Sequence, residues 1–145
     1  MEASAITRST RIHASSQRVW SAITEPQHLE RWYAPGCPWE VSSLQAGATV
    51  KFHNTDTDVQ VATIEVVEPL HELALRWQLD PAHPELTLLN TFLLRAENGR
   101  TAVTVTQAGY DSLPGDMRQE LLAQDEEAYT AILASLKAYL ESSSP

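Results

Sequence analysis

Five runs of alternating hydrophobicity, followed by one long amphipathic segment, leave this chain few ways to fold. The runs ATVKFH, VQVATIEVVE, ELALRWQL, LTLLNTFLLR and TAVTVTQA are separated by turn signals at Gly47, NTDTD, EPLH, DPAHP and ENGR. From Trp39 to about Gly109 the pattern is therefore β, and Asn98-Gly99 between two alternating runs predicts a tight hairpin. Alternation places Leu73, Leu75 and Trp77 on one face, with Asn90, Phe92 and Leu94, and with Val103, Val105 and Gln107. Beyond the strands, residues 116–141 read as a helix, with Asp116 and Gln119 at capping-box spacing. Leu122, Tyr129, Ile132, Leu133, Leu136 and Leu140 form its apolar stripe. An apolar sheet face and an apolar stripe each need a partner, so the helix must cover the sheet, giving an α+β domain.

The N-terminal third supplies what precedes the strands. AITRSTRIHA alternates Ile6 and Ile12 with polar residues and reads as a strand. SSQRVWSAIT offers Ser15 or Ser16 as an N-cap for Val19, Trp20 and Ile23 at helical spacing. A second short helix starts at Pro26 and puts Leu29, Trp32 and Tyr33 on one face, until PGCP stops it. The stretch LERWYAPGCPWE thus joins a helix to a strand with Trp32, Tyr33 and Trp39 close together. It is expected to form a pocket entrance, with Trp32 half core and half lid and Trp39 closing the opening from the other side.

With 145 residues, the chain is expected to be one domain, 1–145, with 142–145 as a frayed tail. A net charge of −9 and ten scattered basic residues argue against a nucleic-acid partner, because phosphate contacts need clustered Lys and Arg. Asp125, Glu126 and Glu127 cluster in QDEEAY, which reads first as a solvated helix face. Only Cys37 is present, so no intrachain disulfide forms. Neither a signal-peptide run nor a membrane span is found, and the expectation is a cytoplasmic protein with no membrane partner.

The segment HASSQRVWSAITEPQHLERWYAP resembles the opening of the START-like (SRPBCC) superfamily. Within it, the chain is similar to the branch named for the activator of Hsp90 ATPase homologue 1. The matching elements run in order through Ala46-Gly47, ATIEVVEPLHELALRW, RTAVTVTQAG and AYTAILASLKAYLE, over nearly the full chain. Three positions depart from the family pattern: Ser15 stands where it has Pro, Ala46 or Ala48 replaces one of its paired glycines, and Ala128-Tyr129 replaces its Gly-Trp. The resemblance implies a helix-grip (START/Bet v1-like) fold. There, a curved antiparallel sheet wraps a long C-terminal helix, two short helices follow strand 1, and a cavity lies between sheet and helix. In many relatives that cavity holds a small hydrophobic ligand, and the superfamily also includes cyclases and other enzymes.

Residue chemistry narrows what such a cavity can do. His13, His28, His53, His71 and His83 are widely spaced and form no metal-ligand motif, so no metal is expected and no cofactor is implied. Cys37 lies between Gly36 and Pro38 with no neighbouring His, which favours a structural thiol over a catalytic one. Arg76, Arg95, Lys51 and His53 fall out of phase with the inward residues and belong on the surface. Asn90 and Gln107 point inward. Each either bonds a backbone group, a buried water or the other, or orients the polar group of a ligand. The helix stripe skips from Leu122 to Tyr129, leaving Asp125 or Glu126 either solvated or facing the cavity mouth as a general acid or base.

Three functions are compatible with these features. The first is binding of a small hydrophobic or aromatic molecule, lined by Trp32, Tyr33, Trp39, Trp77, Asn90, Gln107 and Tyr129. The second is a cavity enzyme of cyclase, dehydratase or hydrolase type on an aromatic or polyketide-like substrate, with Asp125, Glu126 and Tyr129 as its candidate catalytic residues. The third is a partner of an Hsp90-type chaperone. The eukaryotic co-chaperone couples such a domain to a separate N-terminal one that these 145 residues do not contain, so no effect on Hsp90 is expected. A homodimer is compatible with all three.

Overall fold

The computed structural model describes residues 5–33, 36–80 and 82–142. β1 (Ala5–Ile12) is followed by α1 (Ser16–Thr24) and α2 (Pro26–Trp32), then β2 (Trp39–Val41), β3 (Thr49–His53), β4 (Val59–Glu68), β5 (Glu72–Gln78), β6 (Thr87–Glu97) and β7 (Arg100–Ala108). A short 3-10 turn at Tyr110–Ser112 leads into α3 (Gly115–Ser142). The strands form one antiparallel sheet in the order β1-β7-β6-β5-β4-β3-β2. β1 pairs with β7 from Ala5↔Ala108 to Ile12↔Thr101, so the chain must cross from one sheet edge to the other before β2. α1 and α2 make that crossing.

Local chemistry explains most element ends. Ser15 caps α1, its hydroxyl accepting from the Arg18 N–H at 3.2 Å. Pro26 occupies the first turn of α2, where its missing N–H costs nothing. Asn98 and Gly99 both have positive φ (42° and 84°) and join Glu97 to Arg100 as a two-residue hairpin of the expected kind. Several boundaries differ from the sequence reading by one or two residues, and two of the differences have a clear local cause. β1 ends at Ile12 rather than Ala14, because the chain must turn into the Ser15 cap. α3 opens one residue early, with the Arg118 N–H bonding the Pro114 carbonyl at 2.8 Å. Asp116 therefore lies inside the first turn, favourable to the helix dipole, rather than at the cap. Of the predicted stop and turn residues, Pro35 and Pro81 lie outside the described residues, as do residues 143–145 of the expected tail.

A β-bulge at Glu65, between Ile64 and Val66, breaks the β4–β5 register and bends the sheet. α3 packs across the face so formed, burying Tyr129, Leu133, Leu136 and Leu140, each at helical spacing. Against them stand Leu73 and Leu75, Phe92 and Leu94, Val103 and Val105, as alternation required. Each such side chain, fully buried, contributes about 1.5–3 kcal/mol. α2 is tied to both neighbouring helices: the Trp32 indole N–H donates to the Ala22 carbonyl at 2.8 Å, and the Ser135 hydroxyl donates to the Trp32 carbonyl at 2.8 Å. A smaller apolar cluster of Ile6, Leu88, Tyr110 and Leu113 seals the end where α3 begins.

Candidate functional site

The fold brings the aromatics of LERWYAPGCPWE together with Phe52 and Trp77. Tyr33 meets Trp32, Trp39 and Phe52 edge to face, with centroids 5.6, 5.1 and 5.5 Å apart, and Trp39 lies 6.1 Å from Trp77. Trp39 and Phe52 face each other because β2 and β3 pair in that register, at 4.6 Å. Edge-to-face contacts of this kind satisfy the ring quadrupoles and hold the rings rigidly.

Trp32, Tyr33, Trp39 and Trp77 border an apolar chamber of about 50 Å³ between the sheet and the crossing helices, with Leu44, 43% exposed, at its outer rim. Ligand pockets are commonly about 300–1,000 Å³, so the chamber in this conformation admits only a small group. Next to it lies a cleft of about 510 Å³ between the sheet and α3, which is large enough. Its α3 wall is Leu121, Gln124, Asp125, Ala128, Tyr129 and Ile132, spaced along one helical face. Tyr33, Trp77 and Tyr129 border both spaces and form the partition between them.

A polar network runs from the chamber wall to the cleft wall through Tyr129. The Asn90 amide donates to the Tyr129 hydroxyl at 3.1 Å, and that hydroxyl donates to Gln107 Oε1 at 3.0 Å. All three residues are buried. Asn90 and Gln107 sit opposite each other on β6 and β7, so one phenol reaching from α3 satisfies both. The Tyr110 hydroxyl donates to Asp125 Oδ2 at 2.6 Å. Enclosure raises the Asp125 carboxyl above the ordinary carboxylate value, with bonds from Tyr110 and Gln107 pulling the other way. Burial likewise pushes the Tyr129 hydroxyl well above a free phenol, with the charges of Tyr33 and Asp125 adding to it. The Tyr33 hydroxyl is raised too, by burial first and Asp125 second.

Six of the seven candidate lining residues border the chamber; Gln107 lines the outer cleft instead. Of the candidate catalytic residues, Asp125 and Tyr129 face the cleft, whereas Glu126 is exposed and lies on neither wall. Its backbone carbonyl accepts the Thr130 hydroxyl. Cys37 is half-buried, its thiol 3.6 Å from the Asn54 carbonyl. Arg76 pairs with Glu65, and His53 with Glu40, outside the cleft. Among the described residues no three His, Cys, Asp or Glu side chains converge, and no helix is long and apolar enough to cross a membrane.

Sequence reasoning did not identify Tyr110. It follows Gly109, whose φ of 108° resets the alternation running through Val103, Val105 and Gln107. A side chain at Gly109 would also press on the Thr87 carbonyl, 3.1 Å from its Cβ. Its aromatic ring beside a turn glycine was the available signal.

A bent antiparallel sheet gripping one long helix, with an aromatic-walled space between them, defines a helix-grip protein. The family model described as Activator of Hsp90 ATPase homolog 1-like protein matches residues 13–141, and the chain belongs to that family. Solved structures agree on the fold. MLL2253 from Mesorhizobium loti is 19% identical with a TM-score of 0.81, covering 97% of this chain and 99% of its own. DynU16, from the dynemicin biosynthetic locus, is 22% identical with a TM-score of 0.75, covering 97% of this chain and 48% of its own. The Aha1 dimer from Colwellia psychrerythraea is 20% identical with a TM-score of 0.74, covering 94% and 96%. No curated protein matches the sequence significantly.

Proposed function

We propose that the protein binds a small hydrophobic or aromatic molecule between the sheet and α3. Its body lies in the cleft, and its apolar end reaches past Tyr33, Trp77 and Tyr129 towards the chamber. The observation that carries the reading is the juxtaposition of these two spaces across a shared aromatic partition. Flat rings on three sides suit a flat apolar guest, and the Asn90–Tyr129–Gln107 network gives it a fixed polar edge. The partner in this reading is a small molecule in the cytoplasm, with no role for nucleic acid. Hsp90 is not the partner proposed, because a space between sheet and helix serves a small guest rather than a protein surface.

Isothermal titration with 2-naphthol tests it. Saturable binding is expected in the wild type, together with its loss in Ala128→Phe, which fills the cleft from its α3 wall. Binding unchanged by Ala128→Phe would place the guest elsewhere.

A second reading, proton-transfer catalysis on the bound molecule, is favoured by one observation: Asp125 is partly enclosed, hydrogen-bonded to Tyr110 and held towards its protonated form. A carboxyl whose pKa is raised above the ordinary carboxylate value by enclosure is better suited to proton transfer than a solvated one.

A further inference from the structure

The charges that face the large cleft are of one sign. No Lys, Arg or His is among its described lining residues, whereas Asp125 on α3 and Asp58, just before β4, both are. Arg8, which reaches α3 at the Thr130 hydroxyl, also donates to the Thr7 carbonyl, and Arg118 near the start of α3 donates to the Leu113 carbonyl. Neither arginine lines the chamber or the cleft. Asp125 is half-buried, so its carboxylate meets the cleft without being sealed in the core. Among the described residues Tyr110, at 2.6 Å, and Gln107 bond it. A carboxylate takes about four hydrogen bonds, so acceptor capacity remains for a guest. The hydroxyls around it register the resulting field. Burial raises Tyr33, Tyr110 and Tyr129 above a free phenol, and Asp125 pushes all three the same way, with Glu126 adding to Tyr110. A space that opposes a phenolate in this manner favours a cation.

We propose that the guest is a protonated aromatic amine, whose ring lies against Tyr33, Trp77 and Tyr129 and whose ammonium group donates to the Asp125 carboxylate. This rests on the cleft-binding reading and adds the charge and functional group that the cleft selects. An ammonium brings three donors and no acceptor, which suits a carboxylate flanked by the amide side chains of Gln78 on the sheet wall and Gln124 on α3. Its charge is also attracted by the faces of Tyr33 and Trp77. A carboxylate or phosphate guest meets Asp125 with no lining cation to pair with, so its lost hydration goes uncompensated.

Three probes on one ring test the assignment: 2-naphthylmethylammonium, 2-naphthylmethanol and 2-naphthoate, titrated calorimetrically at neutral pH. The ammonium is expected to bind the wild type roughly five- to thirtyfold more tightly than the alcohol, the worth of a charged hydrogen bond at a half-buried site, and 2-naphthoate most weakly. In Asp125→Asn the ratio of ammonium to alcohol affinity should fall close to one. A readout that needs no variant is salt: the wild-type ratio should shrink between about 0.05 M and about 0.5 M, because a half-buried pair is screened. Equal binding of ammonium and alcohol to the wild type, or a preference that ignores both salt and Asp125→Asn, would overturn the amine assignment while leaving cleft binding intact. Failure of all three probes to show saturable binding would overturn cleft binding, and the assignment with it.

Discussion

The hydroxyl of Tyr129 stands between two buried amides that strand alternation turns inward. It accepts from Asn90 and donates to Gln107, so removing it strands a donor and an acceptor together. Tyr129→Phe keeps the ring and is expected to cost about 1–3 kcal/mol in urea denaturation. Asp125 gives a second residue-scale prediction, with a sign. Its carboxyl is raised in the folded state by enclosure, so the native protein holds that proton where the unfolded chain has released it. The group's effect on stability is therefore most favourable on the acidic side. It worsens as pH rises from the ordinary carboxylate range through the raised native value. Asp125→Asn should flatten that decline, measured as denaturation midpoints from about pH 4 to about pH 7. A slope unchanged by the substitution would remove Asp125 as its source.

At the scale of elements, the turn between β4 and β5 carries a local cost. Leu70 sits there at φ 71°, a left-handed conformation that side chains with a Cβ resist, and it is 38% exposed, so little burial repays it. Leu70→Gly should raise stability by about 0.5–1 kcal/mol after glycine's own entropy cost, read by thermal or urea unfolding. The strands and helices themselves were legible in the sequence because period and turn chemistry agreed at nearly every step. Trp77, Phe92 and Val105 fell on the inward face, and ENGR made its hairpin. Pairing order was not legible: nothing local in AITRSTRIHA says that it lies beside β7 rather than β2. The site was legible in part. Tyr33, Trp39 and Trp77 stood out by their composition and context, and Asn90 and Gln107 by polarity on an apolar face. That Tyr129 would bridge the two amides depended on the distance between α3 and the sheet. Asp125 could be told from Glu126 only once the rotation of α3 was fixed.

Across the whole molecule, the two cores divide the work. The larger one, through Leu133, Leu136 and Leu140, anchors α3 to the sheet, and the smaller one around Tyr110 fixes the end where α3 begins. Between them the helix stands off far enough to leave the cleft, with its floor supplied by Gln107 and Leu88. In the proposed function this space receives an aromatic guest. Backbone amide chemical-shift mapping during a titration with 2-naphthol tests it most directly. Shifts concentrated at Tyr33, Trp77, Gln107, Asp125 and Tyr129 are predicted. Shifts confined to the outer sheet face around Thr63, Arg76 and Arg95, or no saturable shifts at all, would contradict it.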